Sequence, residues 1–197
     1  MSKALHTTEF IIEKVTPIFN KKGFYGTSMK DITNATGLTK GAIYGNFKGK
    51  EDLALAAFNT ALKYILKGLE SRISIGKKPL QKLFKITEFY GEYYDYTLAI
   101  GGCPLINIGI DANNQNLQLS QRVREIVLKW QNEVSELIDQ GIKIGNIKAH
   151  TNSFAFAKRM FIILEGGIAI STIMNDRSYL ANATKVVDKL IHDELLA

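Results

Sequence analysis

From Thr39 to Lys50 the chain reads Thr-Lys-Gly-Ala-Ile-Tyr-Gly-Asn-Phe-Lys-Gly-Lys. Thr39 is a helix-capping residue whose hydroxyl can also bond an anion. Lys40, Lys48 and Lys50 add ammonium groups on either side of it. Gly41 and Ala42 are small, so the backbone there can come close to another surface, and the Ala42 methyl suits a thymine methyl. The Tyr44 hydroxyl suits a phosphate oxygen, and the Asn46 amide suits adenine or phosphate. Ile43 and Phe47, four apart, share the other face and belong in a core. A slim, cationic helix end with small and hydroxyl-bearing residues has the chemistry needed to enter the major groove of double-stranded DNA.

Such a helix must be held by others. Ser28 followed by Asp31 has the spacing of a capping box and predicts a short helix that stops at Gly37, after which Thr39 caps a second containing Ala42 to Phe47. Helix, glycine turn, helix is the helix-turn-helix arrangement. Before it, Ile11, Val15, Ile18 and Phe19 form the buried stripe of a helix over 8–21 that ends at Gly23, and Pro17 predicts a bend within it. A long helix over 50–73 follows, with Leu53, Ala57, Ala61, Tyr64 and Leu69 on its inner face. Further helices are expected near 80–98, 104–113, 120–144, 152–174 and 178–195, punctuated by Gly101-Gly102-Cys103-Pro104 and by Gly141 to Gly145. The expectation is an all-α chain of about nine helices: a helix-turn-helix domain over 1–52 and a larger helical domain over 53–197.

The bulk composition agrees. Hydrophobic residues make up 46% of the 197, enough for a core, and the net charge is +6. Residues 1–50 hold eight lysines against three acids, so nearly all the excess sits there, as a polyanion partner requires. One cysteine, Cys103, allows no intrachain disulfide and fits a reducing compartment. The N-terminus lacks the apolar stretch of a signal peptide, and the run Met160 to Met174 carries Glu165 and is short for a membrane span. A soluble, cytoplasmic, nucleoid-associated protein with no membrane partner is expected. Gly45 to Lys50 has the wrong spacing for a phosphate loop, and Glu51 stands where it needs Ser or Thr. His6, His150 and His192 are scattered, and no nucleophile constellation stands out, so no enzyme activity, cofactor or metal is expected. Cys103, at a helix start, is read as a buried thiol, with a redox sensor as the alternative.

Residues 10–58 resemble the DNA-binding domain of the tetracycline-repressor (TetR) family. The resemblance is carried by Gly23-Phe24-Tyr25-Gly26-Thr27-Ser28-Met29-Lys30-Asp31-Ile32, by Ala35-Thr36-Gly37-Leu38-Thr39-Lys40-Gly41-Ala42-Ile43-Tyr44, by Asn46-Phe47 and by Lys50-Glu51-Asp52-Leu53. It implies DNA contacts for Thr27 or Ser28, Thr39, Lys40, Tyr44, Asn46 and Lys50, in a two-domain, all-helical homodimer with an effector pocket in its C-terminal body. Gly45 and Thr33 depart from residues common in the family, which leaves the operator sequence open.

In the body, Phe89, Tyr90, Tyr93 and Tyr94 share a helix face with the apolar walls and polar tips of a ligand cavity, which Leu105, Ile108, Trp130, Phe161 and Leu164 can complete. An aromatic core is the plainer alternative. Phe156, Met160, Ile163, Gly166, Gly167 and Ile170, with Val186, Val187, Leu190 and Ile191, offer a surface for a two-fold four-helix contact. The resemblance implies that an effector shifts the long helix after Lys50 and releases operator DNA. The function expected is thus a ligand-responsive repressor that binds a palindromic operator as a dimer and is released by a small, lipophilic effector. The alternative is a DNA-binding regulator without such an effector, controlled through a protein partner.

Overall fold

A computed structural model describes residues 3–113 and 115–197. Among these, nine α-helices follow one another: α1 (Lys3–Gly26), α2 (Met29–Thr36), α3 (Lys40–Tyr44), α4 (Lys50–Ser74), α5 (Pro79–Ile100), α6 (Pro104–Ala112), α7 (Leu117–Lys143), α8 (Ser153–Met174) and α9 (Ser178–Leu190). A π-helical turn, Ile191–Leu195, follows α9, and Ile147 and Leu196 form an isolated bridge. No helix of the described residues is long and apolar enough to cross a membrane.

Two compact units emerge. The first takes the chain up to Ile65 together with Ile100–Val123, and the second takes Leu66–Ala99 and Arg124–Ala197. Residues 52 and 53 both lie in the first turn of α4.

In the first unit, Ile11, Val15 and Phe19 of α1, Ile32 of α2, Ile43 after the turn, Phe47, and Leu53, Ala57, Phe58 and Leu62 of α4 are buried. The backbone of α1 keeps helical dihedrals through Pro17, and the break comes instead at Gly23, with φ 73° and ψ 177°. The expected bend is therefore displaced. Pro17 has no N–H to offer the Glu13 carbonyl, and the loss of that one bond leaves the helical dihedrals in place. At Gly23 no side chain fits: a Cβ would lie 2.6 Å from the Asp111 carboxyl. That carboxylate accepts from the Phe24 N–H at 2.6 Å, so α6 holds the end of α1. Asn20 Nδ2 donates to the carbonyls of Ile100 and Gly102 at 2.8 and 2.9 Å, and Asn107 Nδ2 donates back to Asn20 O at 3.0 Å.

The second unit is built on α8 against α9. Gly167 lies at their crossing, where a Cβ would fall 2.6 Å from that of Ala183. Leu164 and Ile168 of α8 and Leu180 and Val187 of α9 are buried there. Leu83, Ile86 and Tyr90 of α5 and Ile126, Trp130, Val134 and Ile138 of α7 are also buried in this unit. The sequence places Tyr64 on the inner face of α4, but the ring is 68% exposed. Tyr64 lies on the face of Ala57, seven residues back, but from Leu62 onward the buried side of α4 has turned toward Leu62 and Leu69 and leaves position 64 outside it.

Candidate nucleic-acid interface

The capping box forms as its spacing predicts. Ser28 Oγ accepts from the Asp31 N–H at 3.1 Å, and Asp31 Oδ2 accepts from the Ser28 N–H at 2.8 Å. Lys22 Nζ donates to Asp31 Oδ1 at 2.6 Å. Hydrogen bonds from Lys22 and then from Ser28 hold the Asp31 carboxyl well below the usual carboxylate range. Gly37 closes α2 in the left-handed conformation, φ 69° and ψ 8°, donating its N–H to Thr33 O. A β-carbon is disfavoured there, and this sharp stop turns the chain into α3.

Thr39 caps α3, its hydroxyl accepting from the Ala42 N–H at 3.2 Å. The helix is shorter than expected, ending at Tyr44 with Gly45 as its C-cap. Phe47 lies beyond it, yet its N–H still reaches Ile43 O at 3.1 Å, which keeps the ring on the buried side. Thr39, Lys40, Gly41 and Tyr44 are exposed at this end and Ala42 is half-buried. Tyr44 is 49% exposed. Nothing lies within 3.9 Å of a Cβ placed on Gly41. The Lys40 ammonium and the Thr39 and Tyr44 side chains are thus open to a partner, and groups of these kinds suit phosphate and base edges.

Other residues expected at the interface are placed differently. Thr27 is fully buried, and its hydroxyl donates to Gly23 O at 2.7 Å. Ser28 is exposed but its hydroxyl also donates to Asp31 Oδ2 at 2.6 Å. Asn46 is turned inward: its Nδ2 donates to Ala42 O at 2.9 Å and its Oδ1 accepts from the Thr8 hydroxyl at 2.8 Å. An amide with both ends satisfied fixes α3 against α1, and no spacing rule within residues 39–50 shows the Thr8 partner. Lys48 is exposed, with its N–H bonded to Asp52 Oδ2 at 3.0 Å. Lys50 is half-buried, its ammonium 4.4 Å from the centre of the Phe24 ring.

The residues expected around a ligand fall in both units. Leu105 and Ile108 of α6 belong to the first, half-buried and buried. In the second, Tyr90, Tyr93, Tyr94, Trp130 and Leu164 are buried and Phe89 and Phe161 half-buried. Their rings pack on one another: Phe89 stacks on Tyr93 at 5.5 Å, and Trp130 meets Phe161 edge-on at 5.1 Å. Glu165, buried in apolar α8, accepts from the Tyr90 hydroxyl at 3.0 Å. Its only signal in the sequence is a lone acid within the run from Met160 to Met174. Trp130 also lines a groove of about 390 Å³ between residues 66–73 of α4 and 126–140 of α7. Cys103 is buried at the N-cap of α6. No cluster able to hold a metal occurs among the described residues.

Two family models match this chain, the bacterial regulatory proteins of the tetR family over residues 11–57 and the tetracyclin repressor-like C-terminal domain over 79–187. The chain belongs to the TetR family. It is 32% identical to a TetR-family transcriptional regulator from Cytophaga hutchinsonii, with a TM-score of 0.91 over 100% of this chain and 98% of that one. A TetR transcriptional regulator from Chloroflexus aurantiacus is 29% identical, with a TM-score of 0.95 over 100% of both. The fatty acid metabolism regulator protein of Bacillus subtilis is 23% identical over 184 residues, 92% of each chain. These TetR relatives are transcriptional regulators and not enzymes, and this TetR chain is a DNA-binding transcriptional regulator.

Proposed function

We propose that this regulator is a homodimeric repressor that grips a palindromic operator through α3 and lets go when a small lipophilic effector enters its body. The observation that carries the reading is the exposure of α3 and its cap, where Thr39, Lys40, Gly41 and Tyr44 stand clear of the protein's own packing. In this reading residues 1–52 are the DNA-binding part and 53–197 the effector-binding and dimerisation part. Lys48 and Lys50 reach the phosphates flanking the groove. Thr27 and Asn46, both occupied internally, act by holding α2 and α3 in place, and Ser28 contacts phosphate only by exchanging its bond to Asp31.

The dimer is supported by an apolar stripe on the outer side of α8 and α9. Ile162, Ile170 and Ile173 of α8 and Val186 of α9 are exposed, and Gly166 leaves open space beside them. Phe156, Met160, Val187 and Ile191, also expected at the dimer surface, are buried within the chain and support it from beneath. Two recognition helices must then sit about one DNA turn apart, ~34–36 Å, or a multiple of it. The close packing of Phe89 on Tyr93 favours a second reading, control by a protein partner without an effector, while the α4–α7 groove favours the first.

The test is selection of bound duplexes from a random pool with the full chain, repeated with lipophilic ligands. A palindromic consensus whose binding weakens steeply with salt and is lost with ligand is expected. Tyr44→Ala should weaken that binding by about ten-fold, the scale of one good contact. If no duplex is enriched over bulk competitor at low ionic strength, the reading fails.

A further inference from the structure

α6 and the turns on either side of it lie in one compact unit with the helix-turn-helix, although α5 intervenes in the chain. The junction is built on the break in α1 at Gly23. A broken helix leaves backbone groups in need of partners, and the α6 region supplies them. Asn107 Nδ2 donates to the Asn20 carbonyl at 3.0 Å, on the near side of the break. Asp111 Oδ2 accepts from the Phe24 N–H at 2.6 Å, on the far side. The Gln115 carbonyl, in the turn beyond α6, accepts from the Tyr25 hydroxyl at 2.8 Å. Positions 107 and 111, four apart, share one face of the helix. Gly23 has no side chain to keep the Asp111 carboxyl out.

Phe24 links this anchorage to a cation. Its ring is 5% exposed and meets Tyr25 edge-on at 5.0 Å. The Lys50 ammonium, at the start of α4, lies 4.4 Å from the ring centre, within the range of a cation held on an aromatic face. An ammonium has three donors, and a ring occupies one side of it, so the other side can still meet a phosphate. A lysine that swings freely loses rotamer freedom when it binds, and one already held on a ring loses less. The ring in turn stands where its backbone puts it, and Asp111 holds that backbone.

We propose that Asp111 is a positioning residue for operator binding: by fixing the backbone of Phe24 it keeps the ring beneath Lys50 and aims the ammonium at a DNA phosphate. The proposal rests on the reading above that Lys50 meets phosphate. It gives an acid of α6, in the part assigned to effector binding and dimerisation, a task in DNA recognition. The sign of the expected effect is unusual. By charge alone, deleting an acid from a protein that binds a polyanion leaves binding equal or tighter. Deleting this one weakens it.

Binding of the full chain to the duplex enriched in the selection above is measured over a range of salt concentrations. Lys50→Ala should lower the slope of log affinity against log salt by about 0.9, the share of one phosphate contact. Asp111→Ala should lower affinity several-fold and reduce the slope by the same amount, although it removes no positive charge. The two changes together should be no worse than Lys50→Ala alone, because both break one chain of contacts. Asp111→Asn keeps an acceptor for the Phe24 N–H and should restore both affinity and slope. Should Asp111→Ala melt below the assay temperature, Phe24→Leu probes the other link, since it keeps an apolar side chain, removes the aromatic face and should reduce the slope equally. Unweakened binding by Asp111→Ala, a loss that leaves the slope at the parent's value, additive losses in the double variant, or a parental slope in Phe24→Leu overturns the proposal. If Lys50→Ala itself keeps the parent's slope, the phosphate contact is wrong and the proposal falls with it. A slope changed by Lys50→Ala and untouched by Asp111→Ala leaves the contact standing and sinks the role of Asp111 alone.

Discussion

In the helix-turn-helix, the polar side chains that cap and close the helices bond across three or four residues, and the Thr8–Asn46 bond is a long-range addition to them. Ser28 meets Asp31, the Thr36 hydroxyl donates to Ile32 O at 2.8 Å, Thr39 meets the Ala42 N–H, and Asn46 meets Ala42 O. In the second unit the comparable bonds span 75 residues between Tyr90 and Glu165, and 101 between Thr87 and Asp188 at 2.6 Å. The first region has its shape written in local chemistry, and its surface is left for a partner. The second has its shape written in packing between distant helices, and a change there is felt as stability. Two glycines put this contrast to the test, because one stands in each region with opposite surroundings.

Gly167 is the one with neighbours. A leucine there would drive into Ala183 and Leu180, whose atoms lie 2.6 and 3.3 Å from the β-carbon position. Overpacking of this kind costs about 1–3 kcal/mol, and α8 must move away from α9 to relieve it. A thermal melt of Gly167→Leu should show a drop of several degrees, on the order of 5 °C, for a chain of this size. An unchanged melt would mean that α8 and α9 do not cross as closely as described, and the contrast would lose its packing half.

Gly41 is the one without neighbours. Gly41→Val meets nothing nearer than Thr39 Oγ1, at 3.9 Å. Its melting should stay within about 0.5 kcal/mol of the parent, as for other exposed positions. The branched side chain would instead hold the helix end away from the base edges, and operator affinity should fall by about 10- to 100-fold, the scale of one or two lost base contacts. Measured by mobility shift against the selected duplex, full retention of affinity would show that α3 approaches DNA by another face.

Legibility in the sequence follows the same divide. The capping box, the Gly37 stop and the Thr39 cap were readable because each is a rule about residues three or four apart, and the structure forms all of them. Helix order was readable from apolar spacing, and the start of α4 at Lys50 and the end of α8 at Met174 fall where it put them. What spacing does not show is which partner satisfies a polar group far along the chain. Asn46 has the chemistry of a base-reading residue, and only its bond to Thr8, 38 residues away, turns it inward. Thr27 likewise has a hydroxyl that suits phosphate and a burial that excludes it. Asp111 and Asn107 of α6 gave no local signal at all, since their partners are backbone groups at the end of α1 and in the loop after α5. The α4–α7 groove draws on residues 66–73 and 126–140, more than fifty residues apart, so neither stretch shows it by itself.

The smallest effect expected comes from the local side of the contrast, and its sign is fixed by Asp31. Its carboxyl is held below the usual range in the folded chain, chiefly by the hydrogen bond from Lys22 and then by those from Ser28. A group whose folded pKa is depressed stabilises the fold above its unfolded pKa, about 3.9, and that contribution is lost as the pH falls through the lower folded value. Asp31→Asn carries no charge to titrate. Its melting temperature should therefore lie below that of the parent by a constant amount at neutral pH, and the gap should begin to close only below about pH 4. Both partners of the Lys22–Asp31 pair retain solvent access, so added salt should also narrow the gap. A gap that holds unchanged down to the acid limit would mean that the cap works through the shape of the Ser28 turn alone, with the charge on Asp31 contributing nothing to the start of α2.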